Sequence, residues 1–316
     1  MKSALSALAT ALALASGPAL PQAYVNTTQQ GSGNKSLVEQ RESNDDAQVD
    51  VTQIGTGNVI GDPAMGDSGI VQIATVARVH VRQDGRANHA NILQDHTDRS
   101  DNKLLQAGQD NVALFRQDNV NSSSLTLEQR GSANVTSINQ KDIPTFSVRA
   151  RQTGAANRIV VQHYFSGYGG PDIEQAGIAN KVLIDLSDAA YSFVRVDQAG
   201  ALNDASVRQN GTTFTVDQSI VQRGERNVAR ADESGQVNGS TIVQTGNENL
   251  ASATSTLNGS VSEIIQTGSD NRASALQNGA LSWTTGNFSR IRQTGNAFSA
   301  SVLQDGSGNL SLISQR

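Results

Sequence analysis

Two carboxylates, Glu174 and Asp197, are the residues of this sequence best suited to acid–base chemistry. Paired carboxyl groups about 5 Å apart serve as acid and nucleophile in enzymes that cleave glycosidic bonds. The two residues are 23 positions apart, and each directly precedes a glutamine, Gln175 or Gln198. This shared position predicts that they are neighbours on one outward face of a repeated structure.

The other residues at this outward position argue against an active site. In chain order, the position holds Arg82, Leu105, Glu128, Arg151, Glu174 and Asp197. Such mixed charge is expected of a solvated face whose stacked neighbours partly neutralise one another. The histidines also lack the spacing of a metal-ligand set; they are His80, His89, His96 and His163. We therefore expect no catalysis, no metal, no cofactor and no small-molecule substrate.

The elements that position these residues follow from a phrase, Gln-x-Gly-x-x-Asn, that occurs twelve times. Six consecutive copies, from Gln83 to Gln198, start 23 residues apart. A fixed period of this size is typical of stacked supersecondary units rather than of a conventional globular core. The copies start at Gln29, Gln53, Gln83, Gln106, Gln129, Gln152, Gln175, Gln198, Gln222, Gln244, Gln266 and Gln304.

Side chains around the phrase alternate with period two, which predicts a strand, a tight turn and a second strand. Two residues before the first glutamine the side chain is apolar in every copy except one, where Thr27 stands. The expected fold class is therefore all-β: a β-solenoid of stacked strand-turn-strand units (β-arches), cross-β when polymerised. Glycine supplies the backbone freedom that the turn needs; the turn glycines are Gly85, Gly108, Gly131, Gly154, Gly177, Gly200, Gly224, Gly246 and Gly268.

Amide side chains recur at inward positions, where stacking in register lets each turn hydrogen-bond to the next. A polar group buried without such a partner costs about 1 to 3 kcal/mol. We therefore interpret the amides as structural ladders rather than as ligand contacts. The expected ladder residues are Gln83, Asn88, Gln94, Gln106, Asn111, Gln117, Gln129, Asn134, Gln140, Gln152, Asn157, Gln175, Asn180, Gln198, Asn203, Gln209, Gln222, Asn227, Gln244, Asn249, Gln266, Asn271, Gln277, Gln304, Asn309 and Gln315.

The second glutamine of the repeat, eleven residues after the first, is less regular and occurs in seven of the twelve copies. The other five copies carry Ala64, His163, Leu186, Glu233 and Ser255. Asp62 is expected to break the inward apolar column nine residues after the first glutamine. Phe298 replaces the asparagine that should follow Gln293, so we expect Gln304 to open a final arch that ends at Gln315.

Composition and the first residues bound the class of protein. The formal charge is −5, and lysines and arginines are scattered, so no basic patch indicates a nucleic-acid partner.

Met1-Lys2 and an apolar run precede small residues, which predicts a secretory signal peptide over 1–23. Residues 24–78 are expected to form irregular repeats with a loop insertion, and residues 79–316 a regular solenoid. No cysteine is present, so stability must come from ladders and stacking.

The pattern Gln-x-Gly-x-x-Asn-x-small-x-apolar-x-Gln resembles the curlin repeat of curli subunits, the amyloid fibre proteins of bacterial biofilms. The resemblance covers about Gln29 to Gln315. It implies a secreted homopolymer at the cell surface, which reaches the outside from the periplasm through an outer-membrane channel and is nucleated by a related minor subunit. The segments that match best are Gln83 to Gln94, Gln106 to Gln117, Gln129 to Gln140, Gln198 to Gln209 and Gln266 to Gln277.

Two alternatives to a major fibre subunit stay open at this point. Familiar curlins carry about five repeats, so the larger number here does not separate a subunit from a nucleator. A monomeric β-solenoid adhesin would use the same ladders, but soluble solenoids usually cover their terminal turns. The first and last copies of the phrase lie close to the two ends of this sequence, which favours polymerisation.

Overall fold

The computed structural model describes residues 23–41, 47–61, 68–165, 167–256, 258–279 and 286–316, with backbone alone for residues 212–216. The predicted signal peptide therefore lies outside the described residues except for Ala23. The same holds for Asp62, Ala64 and the single tryptophan, Trp283. No helix long and apolar enough to cross a membrane occurs in these ranges.

The fold is all-β, with 78% of residues in strands, and forms a parallel β-solenoid of about 12 turns. The prediction of stacked β-arches is confirmed. The chain divides into two compact units: unit 1 is Met1–Val148 with Gln152–Ala155, and unit 2 is Arg149–Arg151 with Ala156–Arg316. In unit 1, each strand pairs with strands of the preceding and following turns rather than with its neighbour in sequence. In unit 2, β15, β16, β17 and β18 also pair with their neighbours in sequence, because β16 and β17 each span a whole turn.

Unit 1 builds two parallel sheets from alternate strands. The strand β4 pairs with β1 and β7, and β10 pairs with β8 and β12, all in parallel register. The strands are β1 (Tyr24–Ser32), β2 (Lys35–Ser36), β3 (Val38–Arg41), β4 (Gln48–Thr56), β5 (Val59–Ile60), β6 (Ile70–Ile73), β7 (Val76–Arg86), β8 (His89–Asp95), β9 (Asp98–Gln109), β10 (Val112–Val120), β11 (Ser124–Ser132) and β12 (Val135–Ile143); β13 (Ser147–Ala155) has residues in both units.

Unit 2 repeats the arrangement with longer strands in its first turns. The strand β16 is continuous over 21 residues and β17 over 22, so each runs through both legs of an arch. The strands are β14 (Arg158–Tyr164), β15 (Gly169–Ile178), β16 (Lys181–Ala201), β17 (Asp204–Glu225), β18 (Val228–Ser234), β19 (Gly239–Asn247), β20 (Leu250–Thr256), β21 (Val261–Thr267), β22 (Arg272–Asn278), β23 (Phe288–Thr294), β24 (Ser299–Asp305) and β25 (Leu310–Gln315).

The core of each unit is a thin layer between the two legs of the arches. Strand burial alternates with period two; the pattern in β8, for example, places Ala90, Ile92 and Gln94 inward. Small and branched apolar side chains pack at the inward positions beside fully buried amides. In so narrow a core, an inward amide that lacks a hydrogen bond is costly, so each amide needs a partner within the stack.

The loop insertion in unit 1 corrects one sequence-based assignment. The inward column was expected to break at Asp62 and the second-glutamine position to hold Ala64. Instead, the chain re-enters the stack at β6, where Ile70 pairs with Val38 and Ile92, and Gln72 pairs with Gln40 and Gln94. A single offset of eleven residues missed Gln72 because the insertion lengthens this arch.

Candidate functional site: stacked amide columns and strand edges

The glutamine that opens each repeat forms a continuous ladder in both units. We call it the first-Gln column: Gln29, Gln53, Gln83, Gln106, Gln129 and Gln152 in unit 1, and Gln175, Gln198, Gln222, Gln244, Gln266, Gln293 and Gln315 in unit 2. Each Nε2 donates to Oε1 of the next member, over 2.6–2.9 Å in unit 1 and 2.7–2.9 Å in unit 2. All hydrogen bonds in the column point the same way along the chain.

The same amide nitrogen also satisfies backbone carbonyls at the turn. Gln106 Nε2 donates to the carbonyl of His89 at 2.9 Å and to that of Asn111 at 3.1 Å. Equivalent bonds to the residue after the asparagine recur in unit 2; Gln198, for example, donates to the carbonyl of Lys181 at 3.0 Å. The first-Gln column therefore has two tasks, since it links successive turns and caps carbonyls at the end of the arch.

The asparagine of the repeat forms a second ladder that points the opposite way. This Asn column comprises Asn34, Asn58, Asn88, Asn111 and Asn134 in unit 1, and Asn157, Asn180, Asn203, Asn227, Asn249 and Asn271 in unit 2. Each Nδ2 donates to Oδ1 of the preceding member, over 3.0–3.2 Å in unit 1 and 2.9–3.1 Å in unit 2. Opposed directions let each turn both donate and accept on each side.

The turn itself needs glycine because successive turns touch there. Gly108 has φ of +117°, and an added Cβ would lie 2.1 Å from the carbonyl oxygen of Gly131 in the next turn. The carbonyl of Gly131 in turn accepts a hydrogen bond from Asn111 Nδ2 at 3.0 Å. The turn also contains a left-handed residue that the sequence did not signal, Asp110, with φ of +55°. Alanine, aspartate or leucine occupies this place in different turns, so residue type carries no clear cue.

The second glutamine forms a complete ladder in unit 1. We call this position the second-Gln column, and in unit 1 its members are Gln40, Gln72, Gln94, Gln117 and Gln140. Each Nε2 donates to the next Oε1 over 2.7–2.9 Å. Nearby side chains add further bonds, since Asn102 Nδ2 donates to Oε1 of Gln117 at 2.6 Å.

In unit 2 the second-Gln column is a mixture of residue types. Its members are His163, Leu186, Gln209, Glu233, Ser255, Gln277 and Gln304. Only the last pair keeps the regular amide geometry, with Gln277 Nε2 donating to Gln304 Oε1 at 2.8 Å. The assignments of His163, Leu186, Glu233 and Ser255 to this position agree with the register of the strands.

The last repeat corrects a second sequence-based assignment. Gln304 was expected to open an arch and Gln315 to close it, but the roles are reversed. Gln304 pairs with Gln277 in the second-Gln column, while Gln315 accepts from Gln293 in the first. Asn309 accordingly belongs to the opposite turn, where its Nδ2 donates to Asn287 Oδ1 at 3.1 Å. The phrase at Gln304 thus repeats the motif at the second turn of an arch.

Two ionisable groups are buried in the second-Gln column of unit 2. Burial lowers the pKa of His163 to about 3, so its imidazole is neutral in the folded protein. Burial likewise raises the pKa of Glu233 to about 7, an effect that hydrogen bonding to Ser240 and proximity to Gln218 oppose. No metal centre follows from these groups, because no cluster of three potential ligand residues occurs in the described part of the chain.

The outward carboxylates are neighbours, as their sequence position predicts, but each faces an arginine. Glu174 and Asp197 are in register on β15 and β16. Arg223 binds both oxygens of Asp197, at 2.9 and 2.5 Å, and Arg151 lies 3.9 Å from Glu174. A groove of about 400 Å³ on unit 1 is lined in part by Asp50 and His80, whose side chains are also in contact, with 3.1 Å between His80 Nδ1 and Asp50 Oδ2. Ion pairing of this kind is expected of a solvated sheet face.

The terminal strands expose the same columns that are buried elsewhere. In β1, the inward residues Val25, Thr27 and Gln29 are only half-buried, whereas Gln53 in the next turn is fully buried. In β25 the inward residues Ile313 and Gln315 are half-buried as well. Among the described residues, β1 pairs only with β4, and β25 only with β23. Each of these strands therefore presents one edge that the described chain does not cover.

Unit 2 also carries a cluster of exposed aromatic side chains. Phe165, Tyr168, Tyr191 and Phe193 are each 43–60% exposed. The rings of Tyr168 and Tyr191 stack with centroids 5.2 Å apart and planes inclined by 22°. Large exposed apolar groups gathered in one place are a common sign of an interaction surface.

No protein-family profile matches the sequence. No curated protein sequence matches it either. The features of the chain that bear on function are therefore the columns, the strand edges and the outward surface.

Proposed function

We propose that the protein is a structural subunit of an extracellular fibre that grows by strand addition at the ends of the stack. The single observation that carries this proposal is the partial exposure of the inward column residues in β1 and β25. The equivalent residues of interior turns are fully buried. An uncovered strand edge is a template for another strand. The curlin-like repeat supports a secreted, curli-like fibre as the biological setting.

The direction of the first-Gln column favours head-to-tail growth. Gln315 Nε2 donates to the carbonyl of Ser299 at 3.1 Å and has no onward glutamine among the described residues. Gln29 donates to Gln53, and the described residues contain no preceding glutamine that donates to its Oε1. A second copy placed with β1 beside β25 would continue the column in the same sense. No pocket is required, because affinity comes from backbone pairing and amide ladders.

A charge placed on the exposed inward face of β1 tests this proposal. Thr27→Lys puts an ammonium group where the next strand must pack, so fibre growth followed by thioflavin T and electron microscopy should slow at least tenfold. Thr28→Lys is the matched control, because Thr28 is the outward neighbour on the same strand. Circular dichroism must show that both variants keep the β fold. Equal growth of the two variants would contradict growth at this edge.

A second candidate function is adhesion by a solenoid that does not polymerise, and the exposed aromatic cluster favours it. Tyr168, Tyr191 and Phe193 offer rigid rings with little entropy to lose on binding. Adhesion requires no open edge, so Tyr168→Ser with Tyr191→Ser should abolish surface binding while leaving the protein folded and monomeric. A soluble protein that stays monomeric and loses binding in this double variant would make adhesion the better account.

A further inference from the structure

Glu233 is a carboxyl group at a place where the second-Gln column usually holds an amide. Its neighbours in register are Gln209 in the preceding turn and Ser255 in the following turn, and Ser255 is in register with Gln277. The side chain has no solvent exposure. A carboxylate in such a place is costly unless it is neutralised or fully hydrogen-bonded.

The surroundings of Glu233 leave several buried polar atoms without partners. Ser240 hydrogen-bonds to Oε1 of Glu233, but Oε2 has no hydrogen-bond partner. Both amide atoms of Gln218, which is 2% exposed, lack a partner of normal geometry, as does Nε2 of Gln209. Buried polar groups are seldom left unpaired in this way, so the cluster marks a place where the column is incomplete.

No cation compensates a negative charge at this position. On its own strand Glu233 adjoins Asp232, and on β17 the nearest ionisable group is Asp217; both carboxylates oppose ionisation of Glu233. The residues that face it from β19 and β20 are Ser240 and Ser255, which are neutral. None of the described ion pairs includes Glu233. Arg208 is exposed, and its backbone is in register with that of Asp232 on the neighbouring strand.

We propose that Glu233 is a proton-binding site within the second-Gln column, and that uptake of one proton makes unit 2 more stable in mildly acidic than in neutral solution. This inference does not depend on assembly.

Hydrogen-bond direction explains why a proton completes the column. Where the regular amide ladder exists, each member donates to the next turn, as Gln277 does to Gln304 at 2.8 Å. An ionised carboxylate has no donor, whereas a protonated one has both an acceptor and an O–H donor, like a glutamine amide. Protonated Glu233 can therefore accept from Gln209 and donate to Ser255, which stand in register on its two sides.

The titration of Glu233 sets the direction and range of the effect. Burial raises the pKa of Glu233 from 4.5 to about 7. Because the folded state binds the proton more tightly than the unfolded state, stability contributed by this group falls as pH rises from 4.5 to 7. Over this range we expect the unfolding equilibrium constant to increase on the order of a hundredfold through Glu233 alone.

Urea unfolding of the full chain at several pH values, compared with Glu233→Gln, tests this inference. Glutamine supplies the missing donor at every pH, so the variant should match the parent near pH 4.5 and exceed its stability at pH 8. Glu225→Gln, which changes an exposed carboxylate in the same unit, is the matched control for the loss of one carboxyl group. A parent and Glu233→Gln variant with parallel pH profiles would overturn the proposal.

A direct titration keeps the inference testable if the variant folds poorly. Carboxyl carbon NMR of protein labelled at glutamate should show one side chain that titrates near neutrality and disappears in Glu233→Gln. Absence of any glutamate titrating above about pH 6 would contradict the proton site.

Discussion

The two turns of each arch obey different rules, although both stack in register. The first turn keeps its glutamine, glycine and asparagine from one repeat to the next in both units, except after Gln293, where Phe298 replaces the asparagine. The second turn keeps its glutamine only in unit 1; in unit 2 the same position also accepts imidazole, leucine, carboxylate and hydroxyl groups. All of these side chains are fully buried, so burial alone does not explain the difference.

Backbone hydrogen bonding explains it. The first-turn glutamine donates to main-chain carbonyls as well as to the next glutamine, as Gln106 does to His89 and Asn111. Loss of that amide removes a side-chain donor from these carbonyls, although the carbonyl of Asn111 still accepts from the backbone N–H of His89. Glutamines at the second turn cap the main chain less regularly. Gln72, Gln277 and Gln304 each donate to a backbone carbonyl, whereas the described acceptor of Gln94 is Gln117 alone. The lesson is that repetition is strictest where a side chain completes the main chain.

The largest expected effect comes from a methyl group at the first turn. In Gly200→Ala the added carbon would lie 2.0 Å from the carbonyl oxygen of Gly224 at a φ of +119°, so we expect a loss of more than about 4 kcal/mol or failure to fold. Gly211→Ala is the control at the second turn, since φ is +99° there but the space is empty. It should cost about 1 to 3 kcal/mol from backbone strain. Similar urea midpoints for the two variants would contradict the proposed difference between the first and second turns.

Replacing one glutamine in each column of unit 1 sharpens the comparison. Gln106→Leu removes donors from two carbonyls and interrupts the ladder between Gln83 and Gln129, so we expect a loss of about 4 kcal/mol. Gln94→Leu should cost about 1 to 2 kcal/mol, because Gln72 and Gln117 keep other hydrogen bonds. Urea unfolding at low protein concentration measures both. A larger loss for Gln94→Leu would reverse the proposed hierarchy.

His163 allows the second turn of unit 2 to be tested by pH. Its pKa is near 3 in the folded protein and 6.5 unperturbed, so the unfolded state binds the proton more tightly. Stability from this group is therefore present above pH 6.5 and is lost as pH falls towards 3, by on the order of 5 kcal/mol. His163→Gln should remove this loss in acid unfolding measured by circular dichroism. An unchanged acid profile would show that the imidazole titrates freely.

The smallest effect is expected where the second turn already lacks a polar group. Leu186 is fully buried between His163 and Gln209 in register. Leu186→Gln exchanges apolar packing for a restored amide, so we expect a change within about 1 kcal/mol in either direction. Thermal unfolding provides the measurement. Destabilisation above about 3 kcal/mol would mean that unit 2 has adapted its second turn to an apolar side chain.

The arch and its first turn could be predicted from sequence because one phrase carries both the strand period and the turn glycine. The second turn could not be placed as well, since an insertion before Ile70 hides Gln72, and the final phrase at Gln304 belongs to the opposite turn. The left-handed residue Asp110 carries no residue-type signal. The partial exposure of Gln29 and Gln315 depends on which strands lie beside them in the fold, and the sequence pattern does not show this.

Fibre diffraction of the purified protein, concentrated until it assembles, tests the central claim most directly. Strand addition at the ends of the stack predicts aligned fibres with a meridional reflection near 4.8 Å and an equatorial one near 10 Å. The protein should also lose both when Thr27→Lys blocks growth. A preparation that stays monomeric at high concentration, with the circular dichroism of a β-solenoid, would contradict the account.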